Sequence, residues 1–326
     1  MKKSFILSVL LLHSTLHSED AASTPTKKEI LASLPHGWIS EEALVLEAKA
    51  DRFSYGNKAS FLDTSSFVQF PLNKPHAEWN PGVRINGGYQ WKDWALFVNW
   101  MYIQNKAQGH KSTDTTKGFF PVLSLDPRLE KTDYITAATQ NWRLNFNAAE
   151  IGVSYPWKAR LGLHLKPHAA LKVAFVDQTA VANYGGGIFS EGLDELLIKN
   201  NFWGIGPAIG LMPVVQFPMG FSLVGDLSAS ALAGRLFVKQ RESYLTSTLY
   251  SERGFHSRLC WTLDAKLGLG WQTESFYKAL VMAVQLGWEW HTLYDQTHLP
   301  QSQFGFFSRS EDLVLQGAYL SATLGF

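Results

Sequence analysis

Between Leu259 and Trp271 every second residue is apolar. Leu259, Trp261, Leu263, Ala265, Leu267, Leu269 and Trp271 alternate with a polar or small set that runs from Arg258 through Thr262, Asp264, Lys266, Gly268, Gly270 and Gln272 to Glu274. A strict period of two marks an extended chain whose faces meet different surroundings. At ~3.3 Å per residue the run reaches about 40 Å, well past the ~5–6 residues usual for strands of soluble sheets. Beyond the first twenty-two residues no run of ~18 apolar residues occurs, so no helix of the chain can cross a bilayer. A membrane protein of this sequence crosses with strands.

The alternation recurs along the chain. It gives Val314, Ala318, Leu320, Ala322, Leu324 and Phe326 opposite Gly317, Tyr319, Ser321, Thr323 and Gly325, and Leu280 to Trp290 opposite Gln285, Gly287, Glu289 and His291. Leu161 to Phe175 oppose His164, Lys166, His168 and Lys172; Val83, Ile85, Tyr89 and Trp91 oppose Arg84, Asn86 and Gln90; Leu44, Leu46, Ala48 and Ala50 oppose Glu47, Lys49 and Asp51. Fainter segments are 94–102, 142–155, 202–217 and 221–238, and the parity of 142–155 slips near Glu150, as a β-bulge would make it. Short links (92–93, 156–160, 218–220, 275–276) alternate with long ones (56–81, 106–141, 177–201, 240–254, 292–310). The expected fold is all-β: a single antiparallel transmembrane β-barrel of about ten strands with short turns at one end and long loops at the other. About twelve strands is the alternative, should 66–72 or part of 106–141 add a hairpin.

Aromatic residues crowd the turns. Trp91, Trp94, Tyr155, Trp157, Phe217, Phe221, Tyr277 and Phe326 mark one expected interface girdle, and Tyr102, Trp142, Phe202, Trp203, Trp288 and Trp290 the other. Charged residues make up 17% of the chain, below the ~25% of soluble domains, and aromatics 13%. MKK followed by FILSVLLL predicts a signal peptide over residues 1–22, a periplasmic arm over 23–42 and the barrel over 43–326. With 29 Lys and Arg against 28 Asp and Glu there is no cationic excess for nucleic acid, and Cys260 alone cannot form an intrachain disulfide.

Charges that share the inward parity are the candidate lumen lining. They are Glu47, Lys49 and Asp51 on the first segment, Arg84 and Arg143, then Lys166 and Lys172, and finally Asp226, Asp264, Lys266, Glu274 and Glu289. An Arg or Lys facing lipid at mid-bilayer costs ~2–4 kcal/mol, which drives such residues inward. His164 and His168 lie ~13 Å apart on a strand, too far to share a metal ion. Gly185, Gly186 and Gly187 lack the Lys-Ser of a phosphate loop, and no Gly-x-Ser-x-Gly element signals a hydrolase. No catalytic residue, metal or cofactor is expected.

LNFNAAEIGVSY from Leu144, LHLKPHAALKVAFVDQ from Leu163, NNFWGIGPAIGL from Asn200, SLVGDLSASALAGRL from Ser222, LGWEWHTLYDQ from Leu286 and the closing DLVLQGAYLSATLGF resemble the Legionella-type major outer membrane protein family, with relatives in environmental chlamydiae. The resemblance implies a porin-like barrel in a bacterial outer membrane and carries no catalytic residues. Family members are cross-linked through several cysteines, a pattern from which a chain with one cysteine departs. The functional expectation is a narrow porin-type channel for ions or small solutes. A non-conducting surface barrel for structure or adhesion is the alternative, and a barrel-embedded hydrolase a remoter one. Expected partners are the lipid bilayer, the barrel assembly machinery through the strand ending at Phe326, and a second copy of the chain.

Overall fold

The computed structural model describes residues 37–50, 56–58, 72–73, 76–112, 119–121, 123, 124, 126, 135–158, 163–245, 247–274, 280–297 and 311–326. The signal peptide, residues 23–36 of the arm, Asp51 and Tyr277 lie outside the described residues, as does the side chain of Glu274. Long strands carry the chain: β1 (Gly37–Ala50), β2 (Trp79–Trp91), β3 (Trp94–Ser112), β4 (Ala137–Ser154), β5 (Leu163–Gly186), β6 (Phe189–Gln216), β7 (Phe221–Tyr244), β8 (Ser247–Glu274), β9 (Val281–Thr297) and β10 (Glu311–Gly325).

Each strand pairs antiparallel with the one before and the one after it, and β10 returns to β1, with Trp38 opposite Gly325 and Leu46 opposite Gly317. Gly37 and Phe326 exchange both backbone hydrogen bonds at 2.9 Å. Ten strands thus form a closed antiparallel barrel. Closure leaves no unpaired edge to meet hydrocarbon, which is why a greasy C-terminal strand is tolerated.

The strands are longer than their apolar alternation suggests. β6 and β8 have 28 residues each. The loop expected over 177–201 is a continuous hairpin that turns at Gly187 and Ile188, and the one over 240–254 continues the β7–β8 ladder to Tyr244 opposite Ser247. β1 starts at Gly37, so 37–42 belongs to the barrel and not to an arm: Ser40 and Glu42 point inward while Ile39 points out. The bulge expected near Glu150 does not exist, since Glu150 sits opposite Asn99 and Lys172 in unbroken register.

One physical change explains all these differences. In the half nearer the short turns, outward residues are apolar and exposed (Leu171, Ile209, Leu227, Leu267, Leu269) while inward ones are polar. In the half nearer the long hairpins the polarity reverses. Leu44, Leu46, Ile103, Leu144, Val176, Leu196, Leu232, Leu236 and Leu315 point inward and are at most 2% exposed, while Gln104, Lys106, Asn141, Arg143, Asp177 and Glu195 point outward on β3 to β6. The backbone keeps its pleat; only the environment on each side of the wall changes, from lipid outside to water outside. Where the two patterns meet, alternation read from sequence loses phase and imitates a bulge or a loop.

Candidate functional site: the buried charge cluster of the lumen

Inside the lipid-facing half, the closely spaced inward parities of six strands bring charged side chains into one cluster. Arg84 on β2 is central. Its Nη1 donates to Glu42 Oε2 on β1 at 2.7 Å and to Glu289 Oε2 on β9 at 2.7 Å, and its Nη2 donates to Glu289 Oε1 at 3.1 Å. Lys266 on β8 donates to both oxygens of Glu42 at 2.8 and 2.9 Å and stands 3.9 Å from the centre of the Tyr319 ring. Asn86 completes the shell of Glu42 at 3.0 Å.

A second branch crosses to the other wall. Lys172 on β5 binds Asp264 Oδ2 at 2.5 Å and Glu150 Oε1 on β4 at 3.0 Å. His291 joins the branches, with Nδ1 2.7 Å from Asp264 Oδ1 and Nε2 3.3 Å from Glu289 Oε1. The cluster is dry by the standard of an aqueous pore: Glu42, Arg84 and Lys172 are 5% exposed and Glu289 1%. The guanidinium, bidentate to Glu289 and bonded once to Glu42, ties β2 to β9 across the intervening β1 and β10, so the cluster is a cross-brace.

Above the cluster lies the apolar inner layer. Leu46 on β1 and Leu315 on the adjoining β10 meet it from one wall, Ile103, Leu144 and Val176 on β3 to β5 from another, and Leu232 on β7 from a third, each buried at 0% exposure. Side chains from around the ring therefore fill the cross-section, as the side chains of small barrels can. Trp142 and Phe202, expected at an interface girdle, are part of this filling at 2% and 4% exposure. The ring of Phe202 lies over Gly204, where an added Cβ would come within 2.6 Å of it, which accounts for the glycine at that position of the FWGIGP element.

The sequence-derived residues divide as follows. Arg84, Lys172, Asp226, Asp264, Lys266 and Glu289 stand on the inner face, and so does Lys166, which is exposed near the short-turn end. Lys49 and Arg143, expected inside, are exposed on the outer face, and Glu47 shares that face, bound to Lys49 at 3.0 Å and to Gln316 at 3.4 Å. They belong to the half where water, not lipid, bathes the outside, so nothing drives them inward. Glu42, Glu150 and His291 are in the cluster without having been singled out. Continuing the even parity of Ser154 and Gly152 would have found Glu150, and extending β1 backwards from Leu44 would have found Glu42. Trp91, Trp94, Tyr155, Trp157, Phe217, Phe221, Trp288 and Phe326 are all at least 40% exposed on the outer wall, and Trp290 is half-buried there.

The family model of the Legionella pneumophila major outer membrane protein precursor matches residues 34–326. The chain belongs to that family. It is an outer membrane β-barrel protein. The structure is similar to that of the outer membrane protease OmpT from Escherichia coli, at 10% identity and a TM-score of 0.45, covering 90% of this chain and 97% of that one. It also overlaps the Pseudomonas putida toluene transporter TodX at 9% identity and a TM-score of 0.28, covering 93% of each chain. No curated protein matches the sequence.

Proposed function

We propose that this family member is a sealed structural barrel that presents its long outer hairpins at the cell surface, and that its resting lumen does not conduct. The observation that carries this reading is the apolar layer: Leu46, Ile103, Leu144, Val176, Leu232 and Leu315 all face the lumen at 0% exposure. An ion crossing there would have to shed its hydration, because the inner face is packed to 0% exposure even at Asn105, Gln178 and Asn200, the buried amides beside the apolar residues. A porin-type path, the other reading, is favoured by the charge cluster alone, since Arg84, Lys172 and Lys266 supply fixed charge of the kind that sets ion preference. Each of them, however, is bound by carboxylates, and the apolar layer lies in series with them.

The hydrolase reading has less support still. Both ring nitrogens of His291 face carboxylates, Asp264 and Glu289, which leaves neither free to take a proton from a hydroxyl nucleophile. Planar bilayer recording on refolded, heat-modifiable protein tests the proposal. A silent bilayer is the expected result, and regular unitary steps in most insertions would overturn it in favour of the channel.

A further inference from the structure

On the outer wall, β5 to β8 form a groove at the upper edge of the lipid-facing band. Phe175, Trp203, Phe237 and Phe255 line it, one from each strand, together with Asp177, Asn201 and Arg235, around a volume of about 490 Å3. The Phe237 and Phe255 rings pack at 4.9 Å between centroids, yet Phe255 is 74% exposed and Trp203 46%. Four aromatic side chains stand on an outward face at the end of the apolar band, with no cover among the described residues.

The next outward row of the sheet is cationic. Lys199 on β6 lies directly opposite Lys239 on β7, and Lys239 directly opposite Arg253 on β8. Like charges directly opposite one another destabilise a sheet. The same row runs on through Thr179 to Arg143 on β4 and Lys106 on β3, so cations from five strands share it with no carboxylate. Among the described residues Lys199, Lys239, Arg253 and Arg235 form no ion pair. Asp177 stands in the groove, and Glu195 lies four residues beyond Lys199 on β6. A repulsive row kept beside an uncovered aromatic groove is a site made for a ligand that is anionic at one end and hydrocarbon at the other.

We propose that this wall binds a phosphate-bearing lipid of the outer leaflet, its acyl chains against Phe175, Trp203, Phe237 and Phe255 and its phosphates on Arg235, Lys199, Lys239 and Arg253. The groove is continuous with the lipid-facing band below it, which favours a membrane lipid over a free anion. The strands of such a barrel tilt by ~35–45°, so the cationic row climbs by about 3 Å per strand and meets phosphates at more than one height. A lipid carrying several phosphates on a sugar headgroup fits that spread better than one with a single phosphodiester.

The full barrel, refolded in a zwitterionic detergent, can be titrated with diphosphorylated lipid A, with the same lipid after phosphatase treatment, and with inorganic phosphate, and bound lipid counted by native mass spectrometry. The diphosphorylated lipid is expected to be retained and the dephosphorylated one lost. Combining Lys199→Gln, Lys239→Gln and Arg253→Gln should weaken retention by about tenfold, from three exposed charge contacts of modest strength. Lys49→Gln, on the opposite wall, should leave it unchanged. Heat-modifiable mobility shows that each variant is folded; should the triple variant fail to fold, Lys239→Gln alone should weaken retention by about twofold. Equal retention of the two lipids, or an unaffected charge variant, overturns the proposal. Competition by inorganic phosphate as strong as by the lipid also overturns it, because the site would then be one for free anions.

Discussion

Arg84 shows what a single residue does in this barrel. It neutralises Glu42 and Glu289 at once, in a place where all three are nearly dry. Removing one partner of a buried pair strands the remaining charges and costs ~3–5 kcal/mol, whereas replacing the whole set by neutral groups can be nearly free. Arg84→Ala should therefore lower the midpoint of heat modifiability sharply, read as the temperature at which the compact band disappears on a gel. Arg84→Met combined with Glu289→Gln, which leaves Glu42 paired with Lys266, should recover most of the loss. If the double variant melts as low as Arg84→Ala, Arg84 and Glu289 are not one electrostatic unit. Tyr319 makes the same point for shape. Its hydroxyl lies where a Cβ at Gly268 would stand, 2.0 Å away, and its ring flanks Gly287, so two glycines facing each other across β8 and β9 form the trough that lets a tyrosine lie flat in the lumen beneath Lys266.

Strands are where sequence and structure part company, and the reason is local. β8 was legible at once because its membrane half keeps one polarity from Leu259 to Trp271. β4 was not, because Trp142, Leu144 and Phe146 point inward above the bilayer while Ile151 and Val153 point outward within it, so one continuous strand carries two opposite patterns. The same inversion misassigned Lys49 and Arg143 to the lumen and hid the outer ends of β5 to β8 as loops. Alternation reports which face is apolar, not which face is inside; only the position of the bilayer along the strand converts one into the other. Close approach between strands adds a second constraint that alternation does not encode. A Cβ at Gly206 would stand 1.8 Å from the carbonyl oxygen of Ala231, beside Pro207, which has no N–H to give to the ladder. Gly206→Ala should part β6 from β7 locally, seen as faster amide exchange in peptides spanning 203–208 and 229–233. Gly87→Ala, whose nearest neighbour would be 3.6 Å away, should leave exchange unchanged.

At the scale of the whole molecule, closure of the ring and its strand number followed from turn spacing and from the bare apolar face of the last strand, but the filling of the lumen did not. A barrel of ~10 strands lies near the size at which side chains can close the interior, and whether they do depends on which large residues point inward in the outer half, where parity misleads. Cys260 offers a direct measure of that filling. It points inward at 3% exposure, with Sγ 3.4 Å from the carbonyl oxygen of Tyr294, and lies directly opposite Leu232, itself at 0%. If the apolar layer is continuous, a membrane-impermeant maleimide added to folded protein should leave Cys260 unlabelled for as long as the barrel stays folded, and label it fully after heat unfolding. Leu232→Ala removes the side chain facing the thiol and leaves room that the rigid wall cannot collapse to fill, so labelling of the folded variant should accelerate by at least about tenfold if the opened space connects to water. Rapid labelling of the unaltered protein in its heat-modifiable form would mean that water already reaches the middle of the lumen. The sealed barrel would then give way to the channel.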